Sequence, residues 1–127
     1  MDKIRVVLAD DHPRILASLR SILAEEFEVV AAVGDGSQAM VAVLELEPDL
    51  LITDISMPIL NGLQVANGLR NTRCRTKIIF VTMHRDPDMI MAAQAAGVSG
   101  YVVKTLVASD LIPAVKKVMR GNTFVSC

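Results

Sequence analysis

Five short apolar runs punctuate the chain at nearly even intervals: Ile4–Ala9, Val29–Val33, Asp49–Thr53, Lys77–Thr82 and Gly100–Lys104. They are rich in Val, Ile and Leu and lack the strict alternation of a strand wetted on one face, so they read as strands buried on both sides. The segments between them carry a helical rhythm. Ile15, Leu16, Leu19, Ile22 and Leu23 recur at i, i+1, i+4, i+7 and i+8, which is one stripe of a helix. Ala39, Met40, Val43 and Leu44 repeat that stripe, as do Leu111, Val115 and Val118; Leu63, Ala66 and Leu69 show it more weakly. A Met- and Ala-rich helix opens at Asp86-Pro87-Asp88 and is stopped by Gly97.

Turn chemistry supports the same division. Pro13 suits the first turn of a helix, where N–H groups lack partners anyway. Gly34-Asp35-Gly36-Ser37 and Asn61-Gly62 offer turns and caps, and Pro48 ends a connection. Pro113 places the start of the last helix close to itself, because an interior proline breaks the ladder.

Strands alternating with helices define an α/β domain, (βα) repeated five times, with a doubly wound five-stranded parallel sheet. Right-handed crossovers bring every strand's carboxyl end to one edge, where open α/β sheets bind ligands. The expected domain covers residues 1–121, leaving 122–127 as a linker or tail.

That edge gathers residues far apart in sequence. The first strand ends in Asp10 and Asp11, the third delivers Asp54 onto a loop, the fourth ends in Thr82 and the fifth in Lys104. Each has an ordinary reading: a helix cap for Asp11, a loop bond for Asp54, a strand-ending hydroxyl for Thr82, a solvated cation for Lys104. Five polar residues at four strand ends resist being dismissed together. Three carboxylates within ~5 Å repel by roughly 3 kcal/mol per pair at an effective dielectric near 20. Such a cluster holds a proton or recruits a cation. Oxygen ligands with few carboxylates suit Mg²⁺ shared with a phosphate group. Asp54 is then a candidate nucleophile, since carboxylates form aspartyl-phosphates. Lys104 pairs with a carboxylate or a phosphoryl oxygen, and the Thr82 hydroxyl donates to the bound phosphoryl group.

Composition removes other classes. The chain has 127 residues, enough for one domain, and 52% are hydrophobic, as expected of a compact globule. No apolar run approaches the ~18 residues of a membrane span, and no signal peptide is visible, so a cytoplasmic protein is expected. Its net charge of −1 argues against a grip on nucleic acid; Lys116, Lys117 and Arg120 instead offset a helix dipole. Cys74 and Cys127 fit no metal spacing and no disulfide framework, and read as one solvated and one near-core thiol.

From Ile4 to Gly121 the chain resembles a two-component response-regulator receiver domain. The resemblance rests on Asp10-Asp11, on Asp54 in Asp-Ile-Ser-Met-Pro-Ile-Leu-Asn-Gly, on Thr82, and on Gly-Tyr-Val-Val-Lys ending at Lys104. It implies a flavodoxin-like fold in which Asp54 accepts a phosphoryl group from a sensor histidine kinase, with Mg²⁺ required. It implies that Asp11 ligates the metal directly and Asp10 through water, with Asp54 and the Ser56 main-chain carbonyl completing the protein's share. Thr82 and Tyr101 become a switch pair, the hydroxyl moving to the phosphoryl group as the ring swings inward; a half-buried sheet aromatic is the plainer reading of Tyr101. Ser56 and His84 flank the path of the attacking water and would set phosphoryl lifetime, although His84 also reads as an exposed loop residue.

The family often has proline after the lysine, in a cis bond; here Thr105 follows Lys104, so either the bond is still cis or the loop differs. His12, Pro13 and the ending Gly121-Asn122-Thr123-Phe124-Val125-Ser126 are similar to the NarL/FixJ-type subfamily, in which the receiver leads through a linker to a DNA-binding helix-turn-helix. The expectation is a receiver belonging to a longer regulator, with a single-domain receiver as the alternative. Phosphorylation would then drive its own output domain, with possible homodimerisation. A readout face is expected between Asp88 and Arg120, where Met89, Met91 and Ala92 are adaptable packing residues. No contact with nucleic acid or membrane is expected of these residues.

Two other classes stay open. A Mg²⁺-dependent phosphohydrolase of the haloacid-dehalogenase type would need a second Asp where Ser56 stands. A scaffold that binds without phosphorylation usually lacks an acidic residue or the lysine, and neither is missing. A flavin-binding sheet lacks its phosphate loop after the first strand.

Overall fold

A computed structural model describes residues 3–126; Met1, Asp2 and Cys127, including the expected thiol of Cys127, lie outside the described residues. The strands are β1 (Arg5–Ala9), β2 (Glu28–Val33), β3 (Leu50–Asp54), β4 (Lys77–Thr82), β5 (Gly100–Val103) and β6 (Phe124–Val125). The helices are α1 (Pro13–Leu23), α2 (Gly36–Leu46), α3 (Gly62–Arg70), α4 (Pro87–Ala95) and α5 (Val107–Met119). All strands run parallel in the order β2-β1-β3-β4-β5-β6. The order reverses between β1 and β3, so a crevice opens beyond their carboxyl ends.

Each central strand feeds two cores. On one face Val6, Leu8, Leu50, Ile52, Ile79 and Val81 pack with Leu19, Leu23, Leu111, Val115 and Val118 of α1 and α5. On the other, Val7, Ala9, Leu51, Ile78 and Phe80 pack with Val43, Val65, Leu69 and Ile90 of α2, α3 and α4. The two-residue period of the pleat sorts neighbouring residues onto opposite faces, which explains the absence of alternation: both faces are dry.

The structure corrects several sequence expectations. The five strands are joined by a sixth, because residues 124–125, expected as tail, pair with Gly100 and Tyr101 along the edge of β5. Lys117 sits 5.8 Å from the centre of the Phe124 ring, so a cation–π contact adds to this pairing. The last helix begins at Val107 and carries Pro113 in its interior. Pro113 and Ser109 are both exposed, so the carbonyl deprived of its N–H partner opens to water. Lys104 leaves the sheet in a 3₁₀ turn, Lys104–Leu106, and no cis peptide occurs among the described residues. Of the two options after Lys104, the loop differs. Cys74 is half-buried against the α2–α4 core. No helix among the described residues is long and apolar enough to cross a membrane.

Candidate acidic site at the carboxyl rim

Three strand ends converge on the crevice. Asp10 follows β1, and its amide extends the ladder to Val33 (3.0 Å). Asp54 is not on a loop, as expected from sequence, but is the last residue of β3, paired with Val81. The chain turns immediately behind it. Gly62 donates to the Ile55 carbonyl at 2.7 Å and starts α3 against the strand end. A Cβ at Gly62 would lie 2.6 Å from the Asp54 carbonyl oxygen, so only glycine permits this approach. The Asn61–Gln64 capping box then fixes the helix start.

Asp10 and Asp54 are 1% and 6% exposed. Lys104 reaches over them with Nζ 2.9 Å from Asp54 Oδ2 and 3.1 Å from Asp10 Oδ2, its side chain 8% exposed. Burial would lower the pKa of this ammonium, but its hydrogen bond to Asp54 and the contact with Asp10 outweigh that, and the net shift is upward. The lysine is therefore a fixed cation. The same ammonium faces two buried carboxylates at once. One ammonium against two buried carboxylates leaves a net negative charge, which is costly away from water.

Asp11 is exposed and does not cap α1: the N-cap is His12, without a side-chain bond. His12 was missed as part of the site. Its Nδ1 lies 3.1 Å from Asp10 Oδ1 and 3.0 Å from Asp11 Oδ1, and its amide donates to Asp10 Oδ1 at 2.9 Å. Adjacency to the acidic pair at a helix start was the available signal. Asp10, Asp11, His12 and Asp54 each offer a donor atom within 4.8 Å of the others. The oxygens of this set, with one ammonium against two buried carboxylates, fit a small hard cation.

Of the other predicted residues, Ser56 touches this centre, while Thr82, Tyr101 and His84 lie on β4, β5 and the loop after β4. Ser56 is exposed, and its amide donates to Asp54 Oδ1 at 3.3 Å. Thr82 is half-buried at the end of β4, in register with Val103. Tyr101 is 2% exposed rather than half-buried, with its hydroxyl donating to the His84 carbonyl at 3.0 Å. The His84 residue itself is exposed, so its main chain, not its ring, holds this contact.

A parallel α/β sheet with buried carboxylates and a lysine at its switch point is the arrangement expected of the receiver class that the sequence resembles. The chain belongs to the response regulator receiver domain family, which matches residues 6–116. It is 36% identical over 125 residues to an uncharacterized transcriptional regulatory protein, YvfU, of Bacillus subtilis strain 168, covering 97% of this chain and 62% of that protein. It is 35% identical over 126 residues to the transcriptional regulatory protein DegU of Brevibacillus brevis, covering 98% of this chain and 53% of DegU. The signal receiver domain of the response regulator NarL from Mycobacterium tuberculosis superposes with a TM-score of 0.92 at 27% identity, over 96% of this chain and 100% of that one. The chain thus spans only part, 53–62%, of the length of these two transcriptional regulators.

Proposed function

We propose that this receiver takes a phosphoryl group on Asp54 from the phosphohistidine of a sensor histidine kinase. The supporting observation is the pairing of buried Asp54 with Lys104 beside a second buried carboxylate, Asp10, that shares the same ammonium. An Asp54 carboxylate oxygen attacks phosphorus; the P–N bond breaks, its electron pair stays on the imidazole nitrogen, and that nitrogen takes a proton from solvent. The product is an acyl phosphate. Lys104, already an ammonium beside Asp54, turns to a phosphoryl oxygen, and Thr82 donates its hydroxyl to another. Mg²⁺ would be held by Asp10, Asp11, Asp54 and the Ser56 main-chain carbonyl, and when bound it supplies charge neutralisation for the transferring group.

Thr82 and Tyr101 form the switch pair, and Ser56 and His84 tune phosphoryl lifetime by flanking the route of water to phosphorus. Hydrolysis breaks the P–O bond to Asp54 and restores the carboxylate. The chain handles its own phosphoryl group and turns over no external substrate. Its setting is the cytoplasm, and its effect is on an output domain that controls transcription, with homodimerisation on phosphorylation. The chain itself contacts neither nucleic acid nor membrane. Incubation with acetyl phosphate and Mg²⁺, followed by intact-mass measurement, tests this: a phosphate adduct is expected, absent in Asp54→Ala and absent when the metal is chelated. An adduct that persists in Asp54→Ala overturns the assignment.

A further inference from the structure

Ser126 was read from sequence as tail, yet it is 1% exposed and every polar group on it is engaged. Its amide donates to the Tyr101 carbonyl at 2.9 Å. Its carbonyl accepts from Arg85 Nε at 3.1 Å. Its Oγ accepts from the Val103 amide at 3.1 Å and donates to Asp110 Oδ2 at 2.8 Å. One residue therefore ties together β5, the first turns of α5 and the loop between β4 and α4. In a continued parallel ladder a main-chain carbonyl of the edge strand would take the next N–H of β5. Here the serine hydroxyl takes the Val103 N–H, leaving the Ser126 carbonyl free for Arg85.

The residues it holds are neighbours of the chemistry. Val103 immediately precedes Lys104, whose ammonium lies 2.9 Å from Asp54. Arg85 follows His84, whose carbonyl accepts the Tyr101 hydroxyl, and both lie in the loop that leaves Thr82. We propose that Ser126 is a positioning residue for the phosphoryl site, fixing through Val103 and Arg85 the two strand ends that present Lys104 and Thr82. The proposal rests on Asp54 being the phosphoryl acceptor. It also makes the C-terminal strand reciprocal with the site, since two elements sharing these contacts bias each other equally.

The test uses fluoroberyllate, a phosphoryl mimic, titrated in saturating Mg²⁺ and followed by NMR, beside a titration with Mg²⁺ alone. Ser126→Ala orphans the Val103 N–H and is expected to weaken fluoroberyllate binding about five- to tenfold, the order of one hydrogen bond. Mg²⁺ alone, held by carboxylates that Ser126 does not touch, is expected to bind within about twofold of wild type; the amide signals of Lys104 and Arg85 should move. Ser126→Thr keeps the oxygen and should recover most of the affinity. Arg85→Gln, at an exposed position, serves if Ser126→Ala folds poorly, with an expected loss of about two- to threefold. Folded variants that bind fluoroberyllate like wild type overturn the proposal, as does an equal weakening of Mg²⁺ and fluoroberyllate, which would mark general loosening. A wild-type chain that takes Mg²⁺ but no fluoroberyllate overturns the acceptor reading itself, and this inference with it.

Discussion

The two rims of the sheet are built from the same strands and differ in how they treat charge. At the amino rim a groove of about 560 Å³ is lined by Val43, Leu44, Pro48, Cys74, Lys77 and Met119. Glu47, Asp49, Arg73, Arg75 and Lys77 along it are all exposed; beside it the Arg5 amide donates to Asp49 at 2.8 Å, and the Arg5 guanidinium donates to the Leu46 carbonyl at 2.7 Å. At the carboxyl rim Asp10 and Asp54 are buried with one ammonium between them and Asp11 beside them. The groove holds no buried charge among its lining residues. Reactivity follows buried charge held out of balance, which folding must stabilise elsewhere.

The sharpest way to break this contrast is to remove one carboxylate at each rim. Asp54→Asn is expected to abolish the acetyl phosphate adduct outright, while Asp49→Asn leaves the adduct intact, as read by intact mass. Comparable adduct in both variants would mean that the rims do not differ in the proposed way. Next in size is Lys104→Met, which strips the cation from two buried carboxylates. Without divalent metal it should destabilise by roughly 3 kcal/mol in urea unfolding, and added Mg²⁺ should shrink the deficit. Arg5→Met at the exposed rim should cost about 1 kcal/mol and be indifferent to Mg²⁺. Equal deficits, or a Lys104→Met deficit that ignores Mg²⁺, would sink the comparison.

The same contrast explains what the sequence could reveal. Asp10, Asp11, Asp54 and Lys104 were legible because each ends an apolar run, and parallel topology sends all such ends to one place. Strand β6 was not legible: two residues after Gly121 carry no period, and they become a strand only by pairing with the exposed edge of β5. Ser126 was hidden for that reason, since its burial comes from contacts with Tyr101, Val103 and Asp110 rather than from its neighbours in sequence. Pro113 misplaced the start of α5 because its cost depends on which face it occupies, and it faces solvent. His12 looked like part of a family signature, and its ring was placed among carboxylates only by the helix start.

Two glycines at the carboxyl rim give a smaller test. Gly62→Ala drives a methyl to 2.6 Å from the Asp54 carbonyl and should cost about 2 kcal/mol. At Gly34 a Cβ meets nothing within 4 Å and φ is not in the left-handed region. Gly34→Ala should therefore be neutral or gain up to about 1 kcal/mol from the unfolded state. Urea midpoints with unchanged slopes would check both, and equal effects would deny that the turn behind Asp54 is tightly packed.

The smallest expected effect concerns the switch. Moving a domain from mostly off to mostly on takes ~5.5 kcal/mol of differential binding. A charge-assisted hydrogen bond from Thr82 supplies ~1.5–3 kcal/mol, and a comparable contribution from Lys104 closes the gap only if the off state is mildly favoured. Tyr101 is buried, with its hydroxyl bonded to the His84 carbonyl. With the off state only mildly favoured, the unphosphorylated chain is expected to sample both states. Fluoroberyllate should shift the NMR signals of Thr82 and Lys104 strongly and those of the Tyr101 ring weakly. Tyr101→Phe, losing one neutral hydrogen bond, should weaken the mimic by no more than about fivefold. Identical spectra with and without bound mimic would end the idea of a shifting population, and a large displacement of the ring signals would mean that the His84 contact does not hold the ring in both states.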